Sequence, residues 1–177
     1  MIAAVVLAAG EGRRFGGLKQ LHSVDGRPML ERVLDTLERT GPAHRVVVLG
    51  ARSGTILERI DLLGAEPVVC DDWGAGQAAS LHAGLAALPE EAAWALVVLG
   101  DGPSLDGRAV TRMLSAARPG NSRILAADYG SGRLHPVLIP RVRWGEIPGR
   151  GERPVRGLEA DSVDCSDLTP PGDVDYA

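Results

Sequence analysis

Short apolar runs alternate with amphipathic stretches of helix length along the 177 residues. Ile2–Ala8, Arg45–Leu49 and Trp94–Leu99 are nearly unbroken apolar runs, the pattern of strands covered on both faces. Glu66–Cys70, Arg123–Asp128 and His135–Ile139 are further β-rich runs of strand length. Between these runs the punctuation predicts four helices. Pro28–Arg39 has proline in its first turn and stops near Gly41-Pro42. Ser53–Leu63 has a serine cap and ends at Gly64. Gln77–Leu88 stops before Pro89, and Asp106–Ala117 before Pro119. This alternation predicts an α/β fold. Its form is a three-layer α/β/α arrangement around a mostly parallel, Rossmann-like sheet with right-handed crossovers. No repeat or linker interrupts the pattern, so residues 1–177 read as one domain. The tail from Glu159 is polar, rich in Pro and Gly, and suggests no element.

Composition narrows the picture. The chain is 45% hydrophobic but only 3% aromatic, so the core is expected to be aliphatic. A net charge of −4 disfavours a nucleic-acid surface. No 18-residue apolar stretch occurs, so no membrane span is expected. Cys70 and Cys165 form no metal pattern, and His22, His44, His82 and His135 lie too far apart in sequence to suggest zinc. With no signal-like opening, the chain reads as cytoplasmic with reduced thiols.

Lysine occurs once, as Lys19; every other one of the 19 Lys+Arg positions is arginine. Lys19 lies in the loop Leu7-Ala-Ala-Gly10-Glu-Gly12-Arg13-Arg14-Phe15-Gly16-Gly17-Leu18-Lys19-Gln20, directly after the first apolar run. A compact ammonium ending a glycine loop suits a phosphate chain. The P-loop pattern fails, because Leu18 separates Gly17 from Lys19 and Gln20 replaces the hydroxyl residue. The dinucleotide fingerprint fails too, because Gly10, Gly12 and Gly16 leave one residue too many. The elements for phosphate binding are nevertheless present: glycines that let backbone amides approach, and charge from Arg13, Arg14 and Lys19.

The loop and the following Asp25-Gly26-Arg27-Pro28-Met29-Leu30 resemble the opening of the MobA-like NTP transferases, a branch of the nucleotide-diphospho-sugar transferase fold. Gly74-Ala-Gly76-Gln77-Ala78-Ala79-Ser80-Leu81 is similar to a segment of the cytidylyltransferase branch that packs against the base. Gly100-Asp101-Gly102-Pro103 resembles the family's metal motif. Arg133-Leu134-His135-Pro136-Val137 and Gly149-Arg-Gly-Glu-Arg153-Pro resemble two later segments. The resemblance implies that Leu7, Ala8, Ala9, Gly10, Gly12, Arg14, Gly16, Gln77 and Ser80 bind the nucleotide. Lys19, Arg13 and Asp101 are implied to be catalytic, with Asp101 holding Mg²⁺ or Mn²⁺. Leu134 stands where the family has glycine, and the family's acidic ending is altered. Asp167 is taken as the second metal ligand, with Asp164 as the alternative.

Asp101 follows a predicted buried strand, and the carboxyl ends of such strands form the ligand crevice of open α/β sheets. Lys19 and Asp101 are therefore expected to face one triphosphate. Ser80 is either a helix-face serine or a base contact, and His135 is either packed or in touch with substrate. The arginines from Arg141 to Arg156 either solubilise or meet an anionic acceptor. The expected reaction is attack of an acceptor phosphate on the α-phosphorus of an NTP, CTP favoured, releasing pyrophosphate. A phosphate monoester is ionised at neutral pH and needs no strong base. By resemblance the acceptor is the pterin phosphate of the molybdenum cofactor, with contact to a molybdoenzyme or other acceptor protein. Guanylyl transfer, sugar- or small-phosphate acceptors and a non-catalytic cofactor-binding partner stay open. A dinucleotide oxidoreductase fits the glycine spacing poorly.

Overall fold

The computed structural model describes residues 1–12, 16–155 and 157–172. In chain order the elements are β1 (Ile2–Ala8), the short strands β2 (Ser23–Val24) and β3 (Arg27–Pro28), α1 (Met29–Thr40), β4 (Arg45–Leu49) and α2 (Ser53–Leu57). Then come β5 (Glu66–Val69), α3 (Gln77–Ala86), β6 (Trp94–Leu99), α4 (Gly107–Ala116), β7 (Ile124–Asp128), β8 (Arg133–Pro140) and β9 (Ala160–Asp164). Seven strands form one sheet in the order β5-β4-β1-β6-β8-β7-β9, and β2 pairs with β3 apart from it. Strands β5, β4, β1 and β6 are mutually parallel. Strand β8 runs antiparallel to both neighbours, and β9 is parallel to β7. The α/β, mostly parallel sheet expected from the sequence is the one observed.

Strand β1 is the centre of the molecule. Ala4, Val6 and Ala8 face a core completed by Leu30, Leu34 and Leu37 of α1 and Val110 and Met113 of α4. Ala3, Val5 and Leu7 face the opposite core with Leu81 and Leu85 of α3 and with Ile139 and Ile147. Two covered faces leave no polar position, which is why the strand reads as one apolar run. Helix α3 lies close on the sheet because it carries Gly84. A Cβ there would sit 2.4 Å from Val5 Cγ1 and 2.9 Å from Val48 Cγ2.

Three elements depart from the sequence reading. Helix α2 ends at Leu57 rather than Leu63. Asp61 then accepts from the Leu63 amide, and Leu63 takes a left-handed φ of 49°, so the chain turns before Gly64. Strands β7 and β8 form an antiparallel pair, since four residues between them cannot make a crossover. Strand β9 arises in the tail that suggested no element. It reads Ala-Asp-Ser-Val-Asp, and its outer carboxylate Asp161 pairs with Arg123, which gives a charged sheet edge without an apolar signature.

Gly84→Val overpacks the α3–sheet contact. It is expected to lower stability by about 1–3 kcal/mol, read as a lower urea midpoint; an unchanged midpoint would show that the contact can give way.

Candidate functional site: the crevice at the carboxyl ends of β1 and β6

The loop after β1 turns back on itself through Gln20. The buried Gln20 amide donates to Ala8 O at 2.7 Å and to Gly10 O at 2.8 Å, which joins the far end of the loop to its start. Gly12, at φ 66°, permits the crossing, since a Cβ there would lie 2.3 Å from Gly17 O. The return places Lys19 in a 3₁₀ turn, Lys19–Leu21, beside the end of β6. There Lys19 Nζ donates to Asp101 Oδ2 at 2.9 Å. The lysine side chain is 12% exposed and the aspartate 34%, and both border the crevice. Gly100 N donates to Leu7 O at 2.9 Å and holds the Asp101 turn against β1.

These groups border a cavity of about 410 Å³, a volume suited to a small-molecule ligand. Residues 7–12, Lys19 and Gln20 form one side, Leu99–Asp101 an end, and Trp73, Gly74, Gly76, Gln77, Ser80 and Glu152 the far wall. Helix α3 places its amino-terminal turn against this cavity, an arrangement that favours anions. The wall is clamped from a distant part of the chain. Ala78 N donates to Gly151 O at 2.9 Å, and Gly151 N donates to Ala75 O at 3.1 Å. Gly76, at φ 103°, must be glycine here, because a Cβ would stand 2.7 Å from Gly151 O.

Of the residues singled out in the sequence, Leu7, Ala8, Ala9, Gly10, Gly12, Lys19, Gln77, Ser80 and Asp101 meet at this one cavity. Gly16 is exposed and not part of its lining; its amide donates to Gly12 O. Arg13 and Arg14 lie outside the described residues, as do Arg156 and Asp173. Asp167 is not brought to the cavity. Arg112 of α4 takes both its carboxylate oxygens, at 2.5 and 2.9 Å, and holds its carboxyl at a pKa of about 2. Asp164 accepts from the Ser166 amide and hydroxyl, which lower its pKa. Among the described residues no cluster of three or more His, Cys, Asp or Glu could hold a metal ion.

His135 lies behind the Asp101 turn and is not part of the cavity lining. A Cβ on Gly102 would be 2.7 Å from His135 Cε1, so the imidazole packs directly on the turn carrying Asp101. Tyr129 donates to His135 O at 3.2 Å, and burial pushes the phenol pKa up, keeping it a donor. The arginine set is divided. Arg141 is engaged with Ala92 O and Pro89 O and stacks on Trp144, and Arg143 pairs with Glu146. Arg150 and Arg153 are exposed on the segment that borders the cavity. Sequence reasoning missed Gln20, Trp73 and Glu152 as parts of the site. Gln20 carried a hint, as the residue that breaks the P-loop pattern, and Glu152 lay in the Gly149–Pro154 segment that resembles the family; Trp73 carried none.

The model of the MobA-like NTP transferase domain matches residues 4–160, and the chain belongs to this family. Nicotine blue oxidoreductase from Paenarthrobacter nicotinovorans is 35% identical over 98% of this chain and 92% of that protein. The bifunctional protein GlmU of Pelobacter propionicus is also 35% identical over 93% of this chain, which spans only 36% of that longer relative. Among solved structures, Rv0371c from Mycobacterium tuberculosis H37Rv superposes with a TM-score of 0.82 at 28% identity, covering 99% of this chain and 93% of that one. A manganese complex of Rv0371c has a TM-score of 0.81 at 24% identity, covering 96% and 90%. The fold is thus that of the nucleotide-diphospho-sugar transferases, in a nucleotidyltransferase family.

The Arg112–Asp167 pair gives a pH test of where Asp167 is held. Its carboxyl pKa is lowered from 3.8 to about 2 in the folded chain. Its stabilising effect is therefore complete above about pH 4 and lost as pH falls toward about 2. The gap in Tm between the wild type and Asp167→Asn should be small, constant above about pH 4.5, and closed near pH 2; a gap that persists at pH 2 contradicts the pairing.

Proposed function

We propose that the protein is a nucleotidyltransferase that moves an NMP from an NTP, CTP in first place, to the phosphate of a small acceptor. The observation that carries this reading is the Lys19–Asp101 contact inside a cavity built from a glycine loop and a helix amino terminus. An acceptor phosphate oxygen attacks the α-phosphorus, the bond to the β-phosphate oxygen breaks, and pyrophosphate leaves with the electron pair. The backbone of residues 8–12 and Lys19 hold the phosphates and neutralise charge that grows on the departing pyrophosphate. An ammonium carries three donors, so Lys19 can hold Asp101 and a phosphate oxygen together. Arg13 and Arg14 are proposed to add charge from the same loop.

The donor set fits a hard divalent cation. Asp101 offers one carboxylate oxygen beside the phosphate end, and Mg²⁺ usually takes one or two carboxylates with phosphate oxygens and waters. Asp101 would hold Mg²⁺, with Mn²⁺ as the alternative, and the ion would supply charge neutralisation at the transferring phosphates. The favoured acceptor is a molybdopterin-type cofactor, delivered onward to a molybdoenzyme; the cytidylyltransferase-like Gln77–Leu81 segment supports it. Guanylyl transfer or a sugar phosphate acceptor would use the same cavity.

The likeness to nicotine blue oxidoreductase, over nearly the whole of both chains, favours a second reading: an oxidoreductase acting on a related compound. The two part in one pair of assays. With CTP, Mg²⁺ and molybdopterin, the wild type should release pyrophosphate, and Lys19→Ala and Asp101→Asn should each release it at least about 100-fold more slowly. NADH oxidation with nicotine blue, without pyrophosphate release from any NTP, would replace transfer by reduction.

A further inference from the structure

The cavity has two chemically different ends. Asp101 follows β6, whereas Trp73 leans on Gly50 after β4, where a Cβ would lie 2.6 Å from Trp73 Cβ. In the sheet β4 and β6 flank β1 on opposite sides. The two ends are therefore separated by two strand spacings, roughly 10 Å. That span matches the reach from the phosphates of a nucleotide to its base. With phosphates at Lys19 and Asp101, the base falls against the Trp73–Gly76 wall.

Among the described residues, one ionisable side chain lines that wall, Glu152. Its Oε1 lies 3.1 Å from the point where a Cβ on Gly76 would stand, so the carboxylate closes over the start of α3. The backbone pair between Gly151 and residues 75 and 78 fixes the segment that carries it. Among the described residues the Glu152 carboxylate has no hydrogen-bond or ion-pair partner. The side chain is exposed and borders the cavity, where a ligand group can reach it.

We propose that Glu152 is the base-selecting residue, accepting a hydrogen bond from an exocyclic amino group and so favouring cytosine over uracil. A carboxylate has only acceptors at neutral pH. Cytosine offers the N4 amino donor; uracil offers O4, an acceptor that meets the carboxylate with repulsion. This selection rests on the nucleotidyl-transfer reading for the presence of an NTP in the cavity, and it adds a single determinant of which NTP.

The experiment measures CTP and UTP affinity by calorimetry with Mg²⁺ on wild type, Glu152→Gln and Glu152→Ala, together with Lys19→Ala. Glu152 is exposed, so neither substitution threatens the fold. The wild type should prefer CTP. Glu152→Gln, whose amide can donate to O4, should lower the CTP:UTP affinity ratio by about tenfold or more through a gain for UTP as well as a loss for CTP. Glu152→Ala should lose the preference without the gain for UTP. If both nucleotides bind in a Lys19-dependent way but the ratio is the same in all three Glu152 forms, or if the wild type shows no preference, the role of Glu152 falls while nucleotide transfer stands. If no NTP binds the wild type, both fall.

Discussion

The buried amide of Gln20, bound to Ala8 O and Gly10 O, sets the path of the loop that brings Lys19 to the crevice. A glycine-rich loop has many conformations, and ordering it costs backbone entropy at each residue. Two short hydrogen bonds, one to the end of the strand it leaves and one to its own first turn, remove much of that freedom. They also decide where Lys19 lies, because it is the residue next to Gln20. A lysine at the end of a loose loop would be a mobile charge; here it adjoins a buried anchor, about a third of a 3₁₀ turn away, and meets Asp101 across the end of the sheet.

The sheet supplies the other half of the arrangement. Strand β1 lies between β4 and β6 and shares its carboxyl edge with both. The glycine loop, Asp101 and the Trp73 turn therefore open on one side without any special loop length. Behind this edge, His135 supports the Asp101 turn. Arg32 adds a brace, donating to Val24 O and to Pro103 O, so that the β2–β3 hairpin and the segment after Asp101 are held together. The hairpin turns at Asp25-Gly26, with φ values of 51° and 82°, the left-handed pair that a tight two-residue turn needs.

Much of this was legible in the sequence, and the parts that were not share physical causes. Ile2–Ala8, Arg45–Leu49 and Trp94–Leu99 are strands with the bounds their apolar runs indicate, because burial on both faces writes directly into composition. Lys19, Asp101 and the Gln77–Ser80 wall could be placed at one site because each sits at a strand end or helix start. Strand β9 could not be seen, since an edge strand held by charge pairs carries no alternation. Gln20 could not be seen as an anchor, because its partners are backbone carbonyls that any sequence provides. The pairing of Asp167 with Arg112 joins a tail residue to a helix far earlier in the chain, and no spacing announces such a contact. The Glu152 segment stood out by resemblance, but its place in the cavity did not, because it follows from a backbone pair between distant segments.

That backbone pair has a consequence for how the molecule comes into being. The far wall, which includes Trp73, is completed only when Gly151 bonds to residues 75 and 78. The glycine loop, the lysine and the start of α3 are all synthesised well before the segment that closes them. A growing chain would thus own its phosphate end early and its far wall late. The complete cavity is thus a property of the finished topology, since no contiguous stretch of the chain contains both of its sides.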